Sequence, residues 1–221
     1  MGFYLFFLII PLGLGLLSQR WVNGTFKKAS QMPTASGLTG EQVCRRLLDT
    51  GGLTGVGVEH IKGSLNDHYD PRDKVMRLSD PVGRSSSIAA VAVAAHETGH
   101  AFQDAKGDAS FRFRSTLVPV VGFASQAWMF AFFGGVFLSS VGLVWVAVAL
   151  FAGVVLFSLV TLPVELGASR RAMTMLTAQG LITPAEAPAA RKVLTAASFT
   201  YVVAALISII QLVYLLSSQN D

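Results

Sequence analysis

Four apolar stretches without a single Asp, Glu, Lys or Arg constrain this chain more than anything else: residues 3–17, 117–138, 143–164 and 199–216. The last three reach the length of about 20 residues that a helix needs to cross a hydrocarbon core. The first is shorter and holds Pro11. No basic residue precedes it and no small-residue cleavage site follows, so it reads as an uncleaved anchor and not as a signal peptide. With 52% hydrophobic and 14% charged residues among 221, the chain is too apolar for an ordinary soluble domain. The expectation is a mainly α membrane protein with about four transmembrane helices.

The charges orient it. Thirteen of the 17 Lys and Arg residues lie between Arg20 and Arg114, and the other four are Arg170, Arg171, Arg191 and Lys192. Four crossings put both basic regions on one side, which the positive-inside rule makes cytoplasmic, with both termini outside. The net charge of +4 is then a topology signal and makes no case for nucleic-acid binding. Clusters such as Lys27-Lys28 or Arg112/Arg114 can touch anionic headgroups. Cys44 is single, which excludes a disulfide framework or a Cys-rich zinc ribbon.

Between the apolar stretches the chain reads as a small α+β region. A basic connector runs from Arg20 to Ser30. Thr39-Gly40-Glu41-Gln42 is a capping box opening a helix through Val43, Leu47 and Leu48 that stops at Gly51-Gly52. Residues 56–61 and 74–79 alternate weakly, as two strands. Asn66 to Pro71 between them reads as a turn rich in titratable groups. A helix over 85–105 follows, led by small apolar residues, N-capped from Ser85 to Ser87 and stopped at Lys106-Gly107. A strand before such a helix often borders a cleft where an extended peptide can add to its edge. Ser139-Ser140 turns a tight hairpin, and Thr183-Pro184 starts an amphipathic stretch to Lys192.

That helix carries His96-Glu97-Thr98-Gly99-His100. Two histidines four apart project from one helical face and can reach a single zinc ion, with the glutamate beside them free to act as a general base. A catalytic zinc usually takes a third protein ligand. Asp104 would strain the geometry from the same helix, and His60 and His68 are open alternatives. Glu165 is the strongest candidate. A carboxylate at the end of a membrane helix needs a partner, and the charge-derived topology places it on the same side as His96.

The chain resembles the YugP-like family of bacterial integral-membrane zinc metallopeptidases. The likeness runs through Ser36-Gly37-Leu38-Thr39-Gly40, Asp67-His68-Tyr69-Asp70-Pro71, Ala94 to Gln103, Leu162-Pro163-Val164-Glu165 and Ala168-Ser169-Arg170-Arg171-Ala172. It implies His96, His100 and Glu165 as zinc ligands and Glu97 as base. Two positions depart: family members tend to have Asp at Gly167 and an aromatic near Val82 or Gly83.

The expected layout is an anchor at 3–17, a cytoplasmic metallopeptidase region at 20–116, a transmembrane hairpin at 117–164, a cytoplasmic segment at 165–197 and a last span at 199–216. The expected activity is hydrolysis of peptide bonds in membrane-associated or partly unfolded proteins, at the cytoplasmic face of a bacterial inner membrane. Besides zinc, the oxyanion needs a donor, for which His68 ranks ahead of Tyr69, Arg170 and Arg171. The competing readings are a site-2-type intramembrane protease, a non-catalytic zinc-stabilised scaffold and a zinc transporter. Oligomeric state and protein partners stay open beyond the lipid bilayer and a peptide substrate.

Overall fold

A computed structural model of the chain describes residues 5–217. After a π turn at Leu5–Ile9, the elements are α1 (Ile10–Ser30), α2 (Gly40–Thr50), β1 (Gly57–Ile61), β2 (His68–Asp70), β3 (Val75–Ser79), α3 (Asp80–Gly83), α4 (Ile88–Ala105), α5 (Ala109–Phe137), α6 (Val141–Ala178) and α7 (Ala187–Ser217). The protein is therefore mainly helical with one small sheet. Among the described residues, four helices are long and apolar enough to cross a membrane: Phe6–Ser30, Ala109–Phe137, Val141–Ala178 and Ala187–Ser217.

Each of these helices is longer than its apolar stretch. The basic segment from Arg20 to Ser30, read as a connector, is the second half of α1. α6 likewise continues beyond Val164 to Ala178. In α6 the added residues are mostly good helix formers (Ala, Met, Leu and Arg), and in α1 a helix already nucleated in the apolar part propagates even through the poorer Asn23, Gly24 and Thr25.

The chain divides into two compact units. One comprises Met1–Ser18, Ala109–Val164 and Thr200–Asp221. Its core packs Val148, Phe151, Val155 and Leu215 with Trp128 and Phe132. At the α5–α6 turn a Cβ on Gly135 would fall 2.7 Å from a Val144 methyl, so only glycine permits that approach. Many large apolar side chains here face outward, Phe130 at 81% and Phe137 at 88% exposure. That is the pattern of a surface solvated by lipid.

The other unit comprises Gln19–Asp108 and Glu165–Phe199. The expected capping box is present: Thr39 Oγ1 accepts from the Gln42 amide at 3.3 Å, and Gln42 Oε1 accepts from the Thr39 amide at 2.9 Å. It starts α2, whose Val43 and Leu47 are fully buried in a core shared with α4 and whose Leu48 is fully buried as well. Ser87 caps α4 through the Ala90 amide. Its run of Ala and Val is buried over most of its length.

The sheet has strand order β1-β3-β2, β1 parallel and β2 antiparallel to β3. β1 and β3 fall within the two expected strands. The segment Asn66–Pro71, read as a turn, instead contains the edge strand β2, with Tyr69 opposite Met76. Three residues are too few for an alternating pattern to show, and acidic side chains fix the strand instead. Asp67 accepts from the Ser79 amide at 2.6 Å, and Asp70 from Arg77 at 2.7 Å and the Arg72 amide at 3.0 Å.

Burial alone would raise the Asp70 carboxyl, but the hydrogen bonds from Arg72 and Arg77 outweigh it and hold the group well below the usual carboxylate range. Its folded value thus lies below its unfolded one, so its stabilisation is complete above pH 4 or so and is lost as pH falls. We expect Asp70→Asn to lower stability by about 1–2 kcal/mol near neutrality. In thermal unfolding of the full chain in detergent, the gap between parent and variant should shrink as pH falls towards about 3. A constant gap would remove Asp70 from the sheet's support.

Candidate metal centre

One turn of α4 separates His96 from His100, so their rings lie on one face with centroids 4.8 Å apart, edge to face. α6 brings Glu165 to that face. Its Oε2 is 3.2 Å from His96 Nε2 and 3.6 Å from His100 Nε2. All three side chains are buried, Glu165 at 2% exposure, and their donor atoms lie within 4.8 Å of one another. Two imidazole nitrogens and a carboxylate oxygen converging on one point form a donor set suited to zinc, with a fourth position for water or substrate.

The approach of α6 to α4 depends on Gly99, between the histidines. A Cβ there would lie 2.8 Å from the Ala168 carbonyl oxygen and 3.1 Å from its Cα. Any other residue would push the helices apart at the level of the three donors.

Both rings are held from behind. Gln103 Oε1 is 2.9 Å from His100 Nδ1, so with the amide oxygen as acceptor Nδ1 carries the proton and the Nε2 lone pair is left for a metal. Ser169 Oγ lies 3.1 Å from His96 Nδ1 and 3.0 Å from Ser198 Oγ. A hydroxyl that accepts from the ring and donates to Ser198 fixes the same tautomer in His96. Sequence reasoning missed Gln103, Ser169, Ser198 and Gly99. The signals available were the i+3 spacing of Gln103 from His100 and the i+4 spacing of Ser169 from Glu165, which place each on its ligand's helical face.

Glu97 stands beside the three donors, its carboxyl in a desolvated position although the residue as a whole is half-buried. Burial pushes its carboxyl up to about 7. His96 opposes that rise, the charges of Glu165 and Asp67 add to it, and the Tyr69 backbone amide, donating to the carboxylate, lowers it. Strand β2 therefore meets α4 at Glu97. It meets it again at Asp104, which accepts from the Tyr69 hydroxyl at 2.8 Å and pairs with Lys74.

The other expected candidates sit elsewhere. His68 is exposed at the start of β2, its Nδ1 2.9 Å from the Asn66 carbonyl. His60 lies between Glu41, at 3.0 Å, and Asp80, at 3.4 Å. Arg170 donates to the Leu166 carbonyl of its own helix and Arg171 faces Asp108. Glu165 is thus the only one of the four third-ligand candidates that the structure brings into the group with His96 and His100.

Comparison with known proteins agrees with this chemistry. Residues 4–220 match the family model described as "Putative neutral zinc metallopeptidase". The chain is 43% identical over 209 residues to "Putative membrane protease YugP" of Bacillus subtilis (strain 168), covering 95% of this chain and 93% of that protein. No solved structure matches.

If the two outer hydrogen bonds set ring direction, Gln103→Ala and Ser169→Ala should each weaken zinc binding by about tenfold or more, measured by competition with a chromophoric chelator. Gly99→Ala should weaken it too, and lower the unfolding temperature. Unchanged zinc affinity in the first two variants would mean that packing alone orients the rings.

Proposed function

This chain belongs to the family of neutral zinc metallopeptidases, and on that premise we propose that it is a multi-pass membrane endopeptidase working at the cytoplasmic face of a bacterial inner membrane. The convergence of His96 Nε2, His100 Nε2 and Glu165 Oε2, with Glu97 alongside, is the observation that carries the reading. In it, His96, His100 and Glu165 hold the metal. Zinc bound there would polarise a scissile carbonyl and acidify the attacking water.

The remaining work falls to side chains. Glu97 takes the proton of the attacking water and returns it to the leaving amine. The Tyr69 amide holds its carboxylate in place. Among the described residues β2 has a strand on one side only, so an extended peptide can lie along its other edge. A substrate that must be extended there is a membrane-associated segment or a partly unfolded chain. His68, at the start of that strand, is the donor to the oxyanion. Its Nδ1 proton goes to the Asn66 carbonyl, so Nε2 donates only from the protonated ring. Orientation follows from the Lys and Arg distribution, every one of them lying in the two regions that share a side. The intramembrane reading is weaker, since α4 is not one of the four apolar helices and the later acidic donor is a glutamate.

Glu97→Gln should cut hydrolysis of an unfolded protein substrate by about 10²–10⁴-fold with zinc content unchanged. Glu165→Ala should lose about tenfold or more in zinc affinity. Proteolysis surviving in Glu97→Gln would sink the general-base role, and full zinc in Glu165→Ala would move the third donor elsewhere. His68→Gln should lower kcat with KM little changed. A loss confined to KM would make His68 a substrate contact instead.

A further inference from the structure

Away from the histidines, a cleft of about 460 Å³ opens between the basic half of α1 and the start of α7. Three cations line it, Arg20 and Lys28 from α1 and Lys192 from α7, and no carboxylate does. Among the described residues none of the three has an ion pair or side-chain hydrogen bond. Three unneutralised cations around one cavity repel each other and call for an anion.

The walls say which kind. Trp21, Met32 and Pro188 supply apolar surface, with the Trp21 ring braced edge-on against Phe199 at 5.0 Å. Gly24 forms part of the floor, and a Cβ there would meet nothing within 4 Å. Arg20, Gly24 and Lys28 follow one another at four-residue steps on one face of α1. Arg20 and Lys28 are thus about 12 Å apart along the axis, with room over the glycine for a ligand between them. Along the same helices, the apolar stretch of α1 ends at Leu17, three residues before Arg20, and that of α7 begins at Phe199, roughly 10 Å past Lys192. Arg20 and Trp21, within about a turn of the end of the α1 apolar stretch, stand at the depth of lipid phosphates, with Lys28 and Lys192 farther out on the headgroup side.

We propose that this cleft is a binding site for an anionic phospholipid, its phosphates held by Arg20, Lys28 and Lys192 and its glycerol and upper acyl carbons against Trp21 and Met32. Three cations spread over that length exceed what one phosphodiester neutralises. A headgroup with two phosphates, of the diphosphatidylglycerol type, fits best. The site is independent of the metal centre.

The test uses the full chain in a neutral detergent, titrated separately with diphosphatidylglycerol, phosphatidylglycerol and phosphatidylcholine and read by native mass spectrometry. We expect one diphosphatidylglycerol per chain, bound at least about tenfold more tightly than phosphatidylcholine. Neutralising each cation (Arg20→Gln, Lys28→Gln, Lys192→Gln) should weaken it by about fivefold. Gly24→Met fills the floor without changing any charge and improves helix propensity, so it should remove the bound lipid while leaving the chain folded and its zinc content intact. Equal retention of all three lipids, or full retention by Gly24→Met, would overturn the site. So would inorganic phosphate at millimolar concentration displacing the lipid or stabilising the lipid-free chain in a way Lys28→Gln abolishes, since the cleft would then serve a free anion.

Discussion

The burial of one carboxylate, Glu165, between two imidazoles governs how this protein can be built. A buried charge is costly unless it is paired, so wherever else α6 packs on α4 it must bring Glu165 to the level of the two histidines. Packed helices usually lie 8–10 Å apart, and the separation here is set by the smallest side chains available. Gly99 takes the Ala168 backbone directly, while Ala92, Ala95 and Ala172 fill the same core. The alanine-rich lead of α4 is therefore a distance requirement. It places a rigid backbone close enough for a glutamate side chain to span the gap.

A second element bears on the opposite end of the same chemistry. Tyr69 uses its amide on Glu97 and its hydroxyl on Asp104, so a single strand residue touches α4 just after the first histidine and one turn past the second. β2 in turn depends on the Asp67–Ser79 and Asp70–Arg77 contacts to stay in register with β3. A one-residue slip would turn Tyr69 away from α4 and present a neighbouring side chain instead. The orientation of Glu97 is thus tied to strand register, which gives the acidic segment from Asp67 to Asp70 a role beyond solubility.

What the sequence reveals and what it hides divide by the range of the interactions. The capping box at Thr39, the bounds of α4 and the pairing of His96 with His100 are local, decided within five residues, and they are legible. Glu165 was reachable by a longer argument: the crossings expected from the charge asymmetry put this helix-end carboxylate on the histidines' side. β2 was hidden because it is held by side chains of β3 and by α4, not by its own pattern. The true lengths of α1 and α6 were hidden because charged residues mark the end of an apolar stretch but not the end of a helix. Gln103 and Ser169 stand at telling intervals, yet only ring direction, known from the fold, separates them from every other polar residue at such a spacing.

Two glycines, Gly83 and Gly167, leave room for the side chains beside them. At Gly83 an added Cβ would fall 2.6 Å from the His60 ring, so glycine there lets the imidazole sit between Glu41 and Asp80. At Gly167 an added Cβ would come 3.1 Å from Gln103 Nε2. An aspartate at that position would press on, and accept from, the amide that directs His100. With glycine the amide has slack on that side, and its orientation rests on the His100 ring and its remaining neighbours. Glycine at 167 therefore bears on the support of the His100 ring and touches none of the three converging donor groups.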